Sequence, residues 1–242
     1  MNYGLILAGG VGQRMRSSGM PKQFLEVFGK PVIVHTLEKF EQCKDIDRYV
    51  VVCNSSWLAH MEHLTKRDGL VKLFKIVPGG KDRQDSVKQG LTAILHDKAK
   101  AEDVVVIHDG VRPLVRAAIL SENIRVAQKH GCAMTVKPVI ETVCVTSDEE
   151  VGFEDFKKRD DTYTLTAPQT FQIEVLMDTL NRMEETASSL PILDVAIGYA
   201  SLGGKIPIIK ETNHNLKITT PEDYYILKAL LELEENKIVF GI

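Results

Sequence analysis

Short apolar runs at residues 3–7, 49–53, 74–77, 104–107 and 134–136 alternate with segments of helical period. Short, mostly apolar runs of this kind suit strands buried on both faces of a mostly parallel sheet. Between them, Ile33/Leu37/Phe40, Val87/Leu91/Ile94 and Leu120/Ile124/Ala127 recur at i, i+4 and i+7, the spacing of helices that lay one face on a sheet. This alternation restricts the chain to an α/β fold: a Rossmann-like, doubly wound, mostly parallel sheet that collects ligands at the carboxyl ends of its strands. No repeat, low-complexity tract or linker divides the 242 residues, so a single domain over 1–242 is expected.

Composition narrows the class further. With 44% hydrophobic and 26% charged residues the chain can bury a sizeable core. A net charge of −3 argues against general nucleic-acid binding, which calls for a basic face. Cys43, Cys53, Cys132 and Cys144 are scattered, which suits buried thiols in a reducing compartment better than a disulfide framework or a zinc site. The start lacks the features of a signal peptide, and no apolar run approaches the roughly 20 residues that span a bilayer. A cytoplasmic protein without a membrane partner is the expectation.

The first apolar run empties into Ala8-Gly9-Gly10-Val11-Gly12-Gln13-Arg14-Met15, followed by Pro21-Lys22-Gln23-Phe24-Leu25. Gly9, Gly10 and Gly12 allow close backbone approach and aim N–H groups at anionic oxygens, while Arg14 and Lys22 add charge: a polyphosphate cradle. It is not a dinucleotide fingerprint, whose third glycine is Met15 here, nor a Walker loop, because Lys22 lies in Pro-Lys-Gln. An ordinary strand-to-helix turn with solvated cations is the competing reading.

Two further strand ends carry polar clusters. In Pro78-Gly79-Gly80-Lys81-Asp82-Arg83-Gln84-Asp85-Ser86, Asp82 is placed to cap a helix, with Arg83 and Ser86 in its first turns; a capped helix without any ligand explains the segment equally. In Ile107-His108-Asp109-Gly110-Val111-Arg112-Pro113, Asp109 and Arg112 share one rim, Asp109 suited to substrate hydroxyls or a metal and Arg112 to a phosphate. Asp109 also reads as a turn former, His108 as a packed residue, and Asp103 as a cap or surface charge.

Beyond Pro138 the parallel pattern lapses. Residues 141–146 and 161–166 alternate, which predicts a β-hairpin arm over about 139–166. An arm unable to bury its apolar side alone needs a second chain. Residues 175–183 read as a helix, residues 193–196 as the opening of another, and residues 205–210 as strand-like. Thr220, Pro221 and Asp223 then start a final helix, pinned by Tyr224, Leu227 and Leu231, and Lys217 is read as a strand lysine facing away from Leu216 and Ile218.

Together, L-A-G-G-x-G-x-R-M, P-K-Q-F-L, G-G-x-x-R-x-x-S-V, H-D-x-x-R-P and N-x-K-I-T resemble the cytidylyltransferases that act on 2-C-methylerythritol 4-phosphate and on ribitol 5-phosphate. The resemblance implies CTP as a substrate, with the triphosphate over residues 9–14 and Mg²⁺ or another divalent cation held mainly by the nucleotide phosphates. Ala8, Gly9, Gly10, Gly12, Gly80, Asp82, Arg83 and Ser86 would bind the nucleotide, Gly80 and Ser86 reading cytosine. Arg14, Lys22 and Lys217 would be catalytic. Asp109 and Arg112, with Thr142 and Arg159 from an arm swapped across a homodimer, would bind the acceptor. The resemblance weakens at Glu141, Ala167 and Leu193, where the family commonly carries Asp, Thr, and Ser or Thr.

2-C-Methylerythritol 4-phosphate, the commoner family substrate, is the first expectation for the acceptor. Ribitol 5-phosphate is the alternative, supported by L-A-G-G and His35-Thr36-Leu37-Glu38-Lys39-Phe40. A sugar-1-phosphate nucleotidylyltransferase would carry a longer glycine motif. A nucleotide-binding module without turnover would not need Arg14, Lys22, Asp109 and Lys217 together.

Overall fold

The computed structural model describes residues 1–10, 19–185, 194–212 and 215–240. Its centre is a seven-stranded sheet of order β5-β4-β1-β6-β8-β7-β9. These strands are β1 (Asn2–Ala8), β4 (Arg48–Cys53), β5 (Leu73–Pro78), β6 (Val104–Asp109), β7 (Cys132–Pro138), β8 (Tyr163–Gln172) and β9 (Ile208–Lys210). A small antiparallel pair, β2 (Glu26–Val27) and β3 (Lys30–Pro31), forms a second sheet. The pairs β5/β4, β4/β1, β1/β6 and β7/β9 are parallel, and β8 runs antiparallel to both β6 and β7. The expected mostly parallel α/β architecture is present.

The apolar runs alternate between two cores because successive strand residues face opposite sides. On one side Ile6, Val51, Val104 and Val106 meet α1 (Val32–Gln42), α2 (Leu58–Arg67) and α4 (Ala117–His130) through Leu37, Phe40, Met61, Leu120 and Ile124. On the other, Leu5, Val50, Val52 and Val105 meet α3 (Arg83–His96), α5 (Ile173–Glu185) and α6 (Val195–Ser201). Burial of each such side chain contributes about 1.5–3 kcal/mol. Helix α3 lies unusually close to the sheet at Gly90, where a Cβ would meet Leu5 Cγ at 2.8 Å and Val52 Cγ2 at 2.9 Å. That contact fixes the helix whose first turn carries Arg83 and Ser86.

A third core of Val27, Val32, Val111, Leu114, Ile218, Leu227 and Leu231 seats α7 (Pro221–Phe240). Leu227 and Leu231 pin this helix as expected, and the Tyr224 hydroxyl donates to Glu26 O at 2.7 Å. Asp223 Oδ2 accepts from the backbone N–H groups of Thr219 and Thr220 at 2.7 and 2.8 Å, closing the helix start from its third residue.

Two expectations are corrected. Residues 141–146 form no strand: only Cys144 bridges Phe156, flanked by Lys157 N–H to Val143 O at 2.8 Å and Val145 N–H to Asp155 O at 3.0 Å. The alternation in 161–166 belongs instead to the start of β8, where Tyr163, Thr164 and Leu165 pair with Pro138, Lys137 and Val136. The reason is that the strand continues through buried Gln169, Thr170 and Phe171, whose partners lie in the central sheet. Residues 139–162 are thus a largely exposed excursion between two sheet strands, paired across itself around Cys144 and Phe156 without forming two full strands. Lys217 likewise lies in irregular chain, anchored by Ile218 N–H donating to Val111 O at 2.9 Å.

Candidate active site

The register of the sheet brings the predicted clusters together. Ala8 pairs with Cys53, Cys53 with Pro78, and Leu7 with Asp109, so four strands end level. Their ends open a cleft of about 520 Å³, lined by Gly9, Gly10, Lys22, Arg83, Asp109 and Lys217 among others. Ala8, Gly80, Asp82 and Ser86 line it too. Gly12 and Arg14 lie outside the described residues.

The cleft floor is tied down by a residue that the sequence reading quoted without a role. Gln23, 1% exposed, donates from Nε2 to Ala8 O at 2.9 Å and to Gly10 O at 3.1 Å. It occupies both carbonyls and so holds the backbone of the glycine segment at the cleft floor. Its signal was the Pro-Lys-Gln that follows the glycines. Asn54, directly after β4, and Lys81 also line the cleft and were not anticipated. Asn54 Oδ1 accepts from Ser56 N–H at 2.9 Å.

On the opposite wall, Asp82 Oδ1 accepts from Asp85 N–H at 2.8 Å, the predicted cap of α3. Ser86 Oγ donates to Asp82 O at 2.8 Å and accepts from Gly80 N–H at 3.1 Å, so its hydroxyl fixes the glycine turn. Arg83 reaches across to Asp109, Nη1 to Oδ1 at 2.7 Å.

Asp109 is the centre of charge. Besides Arg83 it accepts from Arg112 Nε at 3.0 Å and lies 3.1 Å from Lys217 Nζ, both through Oδ2. Burial alone would raise its pKa, but Arg83, Lys217 and Arg112 outweigh burial and hold the carboxyl well below the usual carboxylate range. One carboxylate facing three cations leaves excess positive charge at the cleft, the electrostatics that attract a polyphosphate.

Arg112 is less available than expected. It is buried, and Nη1 donates to Asn215 O at 3.0 Å, so its guanidinium braces Asp109 and does not line the cleft. His108 is packed as read: it is fully buried, its Nε2 lies 3.3 Å from Arg112 O, and burial pushes its pKa down to about 4. Thr142 and Arg159 are exposed on the 139–162 excursion, and neither lines the cleft. The described residues contain no group of three or more His, Cys, Asp or Glu able to cage a metal. Of the cleft's carboxylates, Asp82 caps a helix and Asp109 is held by cations.

A mostly parallel sheet that presents a glycine-lined, cation-rich cleft at its carboxyl edge defines a nucleotide-handling α/β protein, and the comparisons specify which kind. Residues 3–233 match the family described as 2-C-methyl-D-erythritol 4-phosphate cytidylyltransferase, and the chain belongs to that family of nucleotidyltransferases. Among curated relatives, the ribitol-5-phosphate cytidylyltransferase of Streptococcus agalactiae is 40% identical over 246 residues, and that of Vibrio parahaemolyticus 38% identical over 241 residues. Both alignments cover 100% of each chain. Among solved structures, 4-diphosphocytidyl-2C-methyl-D-erythritol synthase from Anaerococcus prevotii superposes with a TM-score of 0.80 at 24% identity, covering 96% of each chain. The fold is therefore shared with that enzyme. No helix of the described residues is long and apolar enough to cross a membrane.

Proposed function

We propose that this protein transfers the cytidylyl group of CTP to D-ribitol 5-phosphate and releases pyrophosphate. The observation that carries the transfer is the convergence of Lys22, Arg83 and Lys217 on one cleft with Asp109 and the glycine segment. The acceptor follows from the relatives: whole-length matches at 38% and 40% identity are named for ribitol 5-phosphate. The methylerythritol synthase match, at 24%, speaks for fold alone. Ribitol 5-phosphate is thus proposed ahead of 2-C-methyl-D-erythritol 4-phosphate, the substrate in the matching family's description and the comparison substrate here.

In this reading an oxygen of the acceptor phosphate attacks the α-phosphorus of CTP. The bond from that phosphorus to the bridging oxygen of pyrophosphate breaks as the new one forms. The nucleophile is already anionic at neutral pH, so no strong base is needed, and catalysis consists of positioning and charge stabilisation. Lys22, Lys217 and Arg14 neutralise the charge that builds on the α-phosphate and the leaving group. Ser86 and the backbone at Gly80 read the base. Mg²⁺ accompanies the triphosphate and offsets part of its charge.

Thr142 and Arg159 complete the acceptor site of a second subunit. Supporting this, the excursion that carries them exposes Ile140 (67%), Val145 (60%) and Phe153 (93%), apolar surface that pairing of two chains would cover. A homodimer working in the cytoplasm is the corresponding assembly.

The test is pyrophosphate release with CTP and Mg²⁺, run in parallel with the two polyol phosphates. Turnover with ribitol 5-phosphate alone is the expected result. Turnover only with the methylerythritol compound would overturn the acceptor, and silence with both would overturn the transfer.

A further inference from the structure

Behind the cleft lies a buried carboxylate that the reaction above does not use. Glu211 follows β9, is 3% exposed, and donates its backbone N–H to Val136 O at 2.8 Å. Asn215 Nδ2 donates to Glu211 Oε2 at 2.8 Å and to Ala167 O at 2.5 Å. The other halves of the same two side chains, Glu211 Oε1 and Asn215 Oδ1, are both buried without a hydrogen-bond partner.

Two acceptors cannot satisfy each other, and leaving both unmade in a buried site is costly. A carboxylic acid removes both deficits: its O–H donates to Asn215 Oδ1 while its other oxygen still accepts from Nδ2. The charged groups facing Glu211 are Arg116, with Nε 3.9 Å from Oε1, and Arg112. Its neighbour Lys210 lies over the Tyr163 ring, 5.0 Å from the centroid. Arg116 is beyond hydrogen-bond reach and half exposed, and Arg112 is engaged by Asp109 and Asn215 O. Burial outweighs the Asn215 hydrogen bond and both arginines and pushes the Glu211 pKa up.

The pair also sits where it can govern the cleft. Asn215 O accepts from Arg112 Nη1, Arg112 Nε donates to Asp109 Oδ2, and Lys217, two residues beyond Asn215, reaches the same oxygen. We propose that Glu211 is a positioning residue that keeps its proton, pairs edge to edge with the Asn215 amide, and so holds Arg112 and Lys217 in place on Asp109. Only its effect on turnover rests on the cytidylyl-transfer reading.

The test is Glu211→Gln in the full chain, because the amide reproduces both hydrogen bonds without titrating. An infrared difference spectrum at about neutral pH, wild type against variant, contains the carbonyl band of a neutral carboxylic acid. At about pH 6 the variant retains kcat for CTP-dependent pyrophosphate release within about twofold. On raising the pH, wild-type kcat falls at least about fivefold relative to the variant, as ionised Glu211 turns a donor into an acceptor against Asn215 Oδ1. Glu211→Leu, which drops both bonds, loses at least about tenfold in kcat with KM for CTP nearly unchanged. A missing acid band, a ratio flat with pH, or loss of turnover in Glu211→Gln at pH 6 overturns the proposal, even if the Leu variant does not fold. The infrared arm needs no acceptor, so a wild type inactive with both polyol phosphates would reject the transfer reading without touching this one.

Discussion

Lys217 Nζ lies 3.1 Å from Asp109 Oδ2, the lysine 42% exposed and the aspartate 7% exposed. The ammonium is held by a buried anchor yet open to the cleft. Lys217→Ala removes a donor aimed at developing charge, and kcat for pyrophosphate release is expected to fall about 100- to 1000-fold. The fold should persist, because Ile218 and not Lys217 fills the core. Near wild-type turnover would remove Lys217 from the mechanism.

Asp109→Asn leaves Arg83, Arg112 and Lys217 without their common counter-charge. Breaking a buried pair from one side costs about 3–5 kcal/mol, and Arg112 is buried. The folded-state pKa of Asp109 is depressed, so its stabilisation is fully present above the unfolded pKa near about 4 and is lost as pH falls through the folded value. Thermal melts should therefore show a gap between wild type and variant that is constant at neutral pH and closes on acidification.

Gln23→Ala releases the carbonyls of Ala8 and Gly10. The orphaned buried carbonyl of Ala8 costs about 1–3 kcal/mol, and the glycine segment loses its clamp. KM for CTP is expected to rise about tenfold, with KM for the acceptor little changed. An effect confined to the acceptor would contradict the clamp.

Arg159→Ala and Lys217→Ala should each alone lower turnover by about 100-fold or more. In the proposed homodimer, mixing them with subunit exchange restores about a quarter of wild-type activity, because half of the dimers would be mixed and each mixed dimer would have one intact site. No recovery, with exchange demonstrated by mass, would mean that Arg159 serves its own chain or none.

The sheet and three of its helices were legible because buried strands and amphipathic helices leave periods that a single chain displays: Ile33/Leu37/Phe40 and Val104 to Ile107 are examples. Asp82 as a cap and His108 as packing were local questions with local answers. What could not be read was partnership across the fold. Nothing near Tyr163 in sequence reveals that it pairs with Pro138 and that its strand continues into the central sheet, so the start of β8 reads in sequence as half of an arm. Arg112 looked like a phosphate ligand because its spacing from Asp109 is short, whereas its burial is set by Asn215, far along the chain. Gln23 was visible but mute, since its acceptors are backbone atoms and carry no residue signature.

Strands β7 and β8 are antiparallel neighbours, a pair that a two-residue turn can join. The chain spends residues 139–162 on that connection instead. Loop closure grows dearer only slowly with length, so stability neither demands this insertion nor strongly opposes it. Replacing it by a tight turn should leave a monomer that melts near the parent and still binds CTP. Its inability to use a polyol phosphate would mark the excursion as a part the fold carries on behalf of another copy of itself.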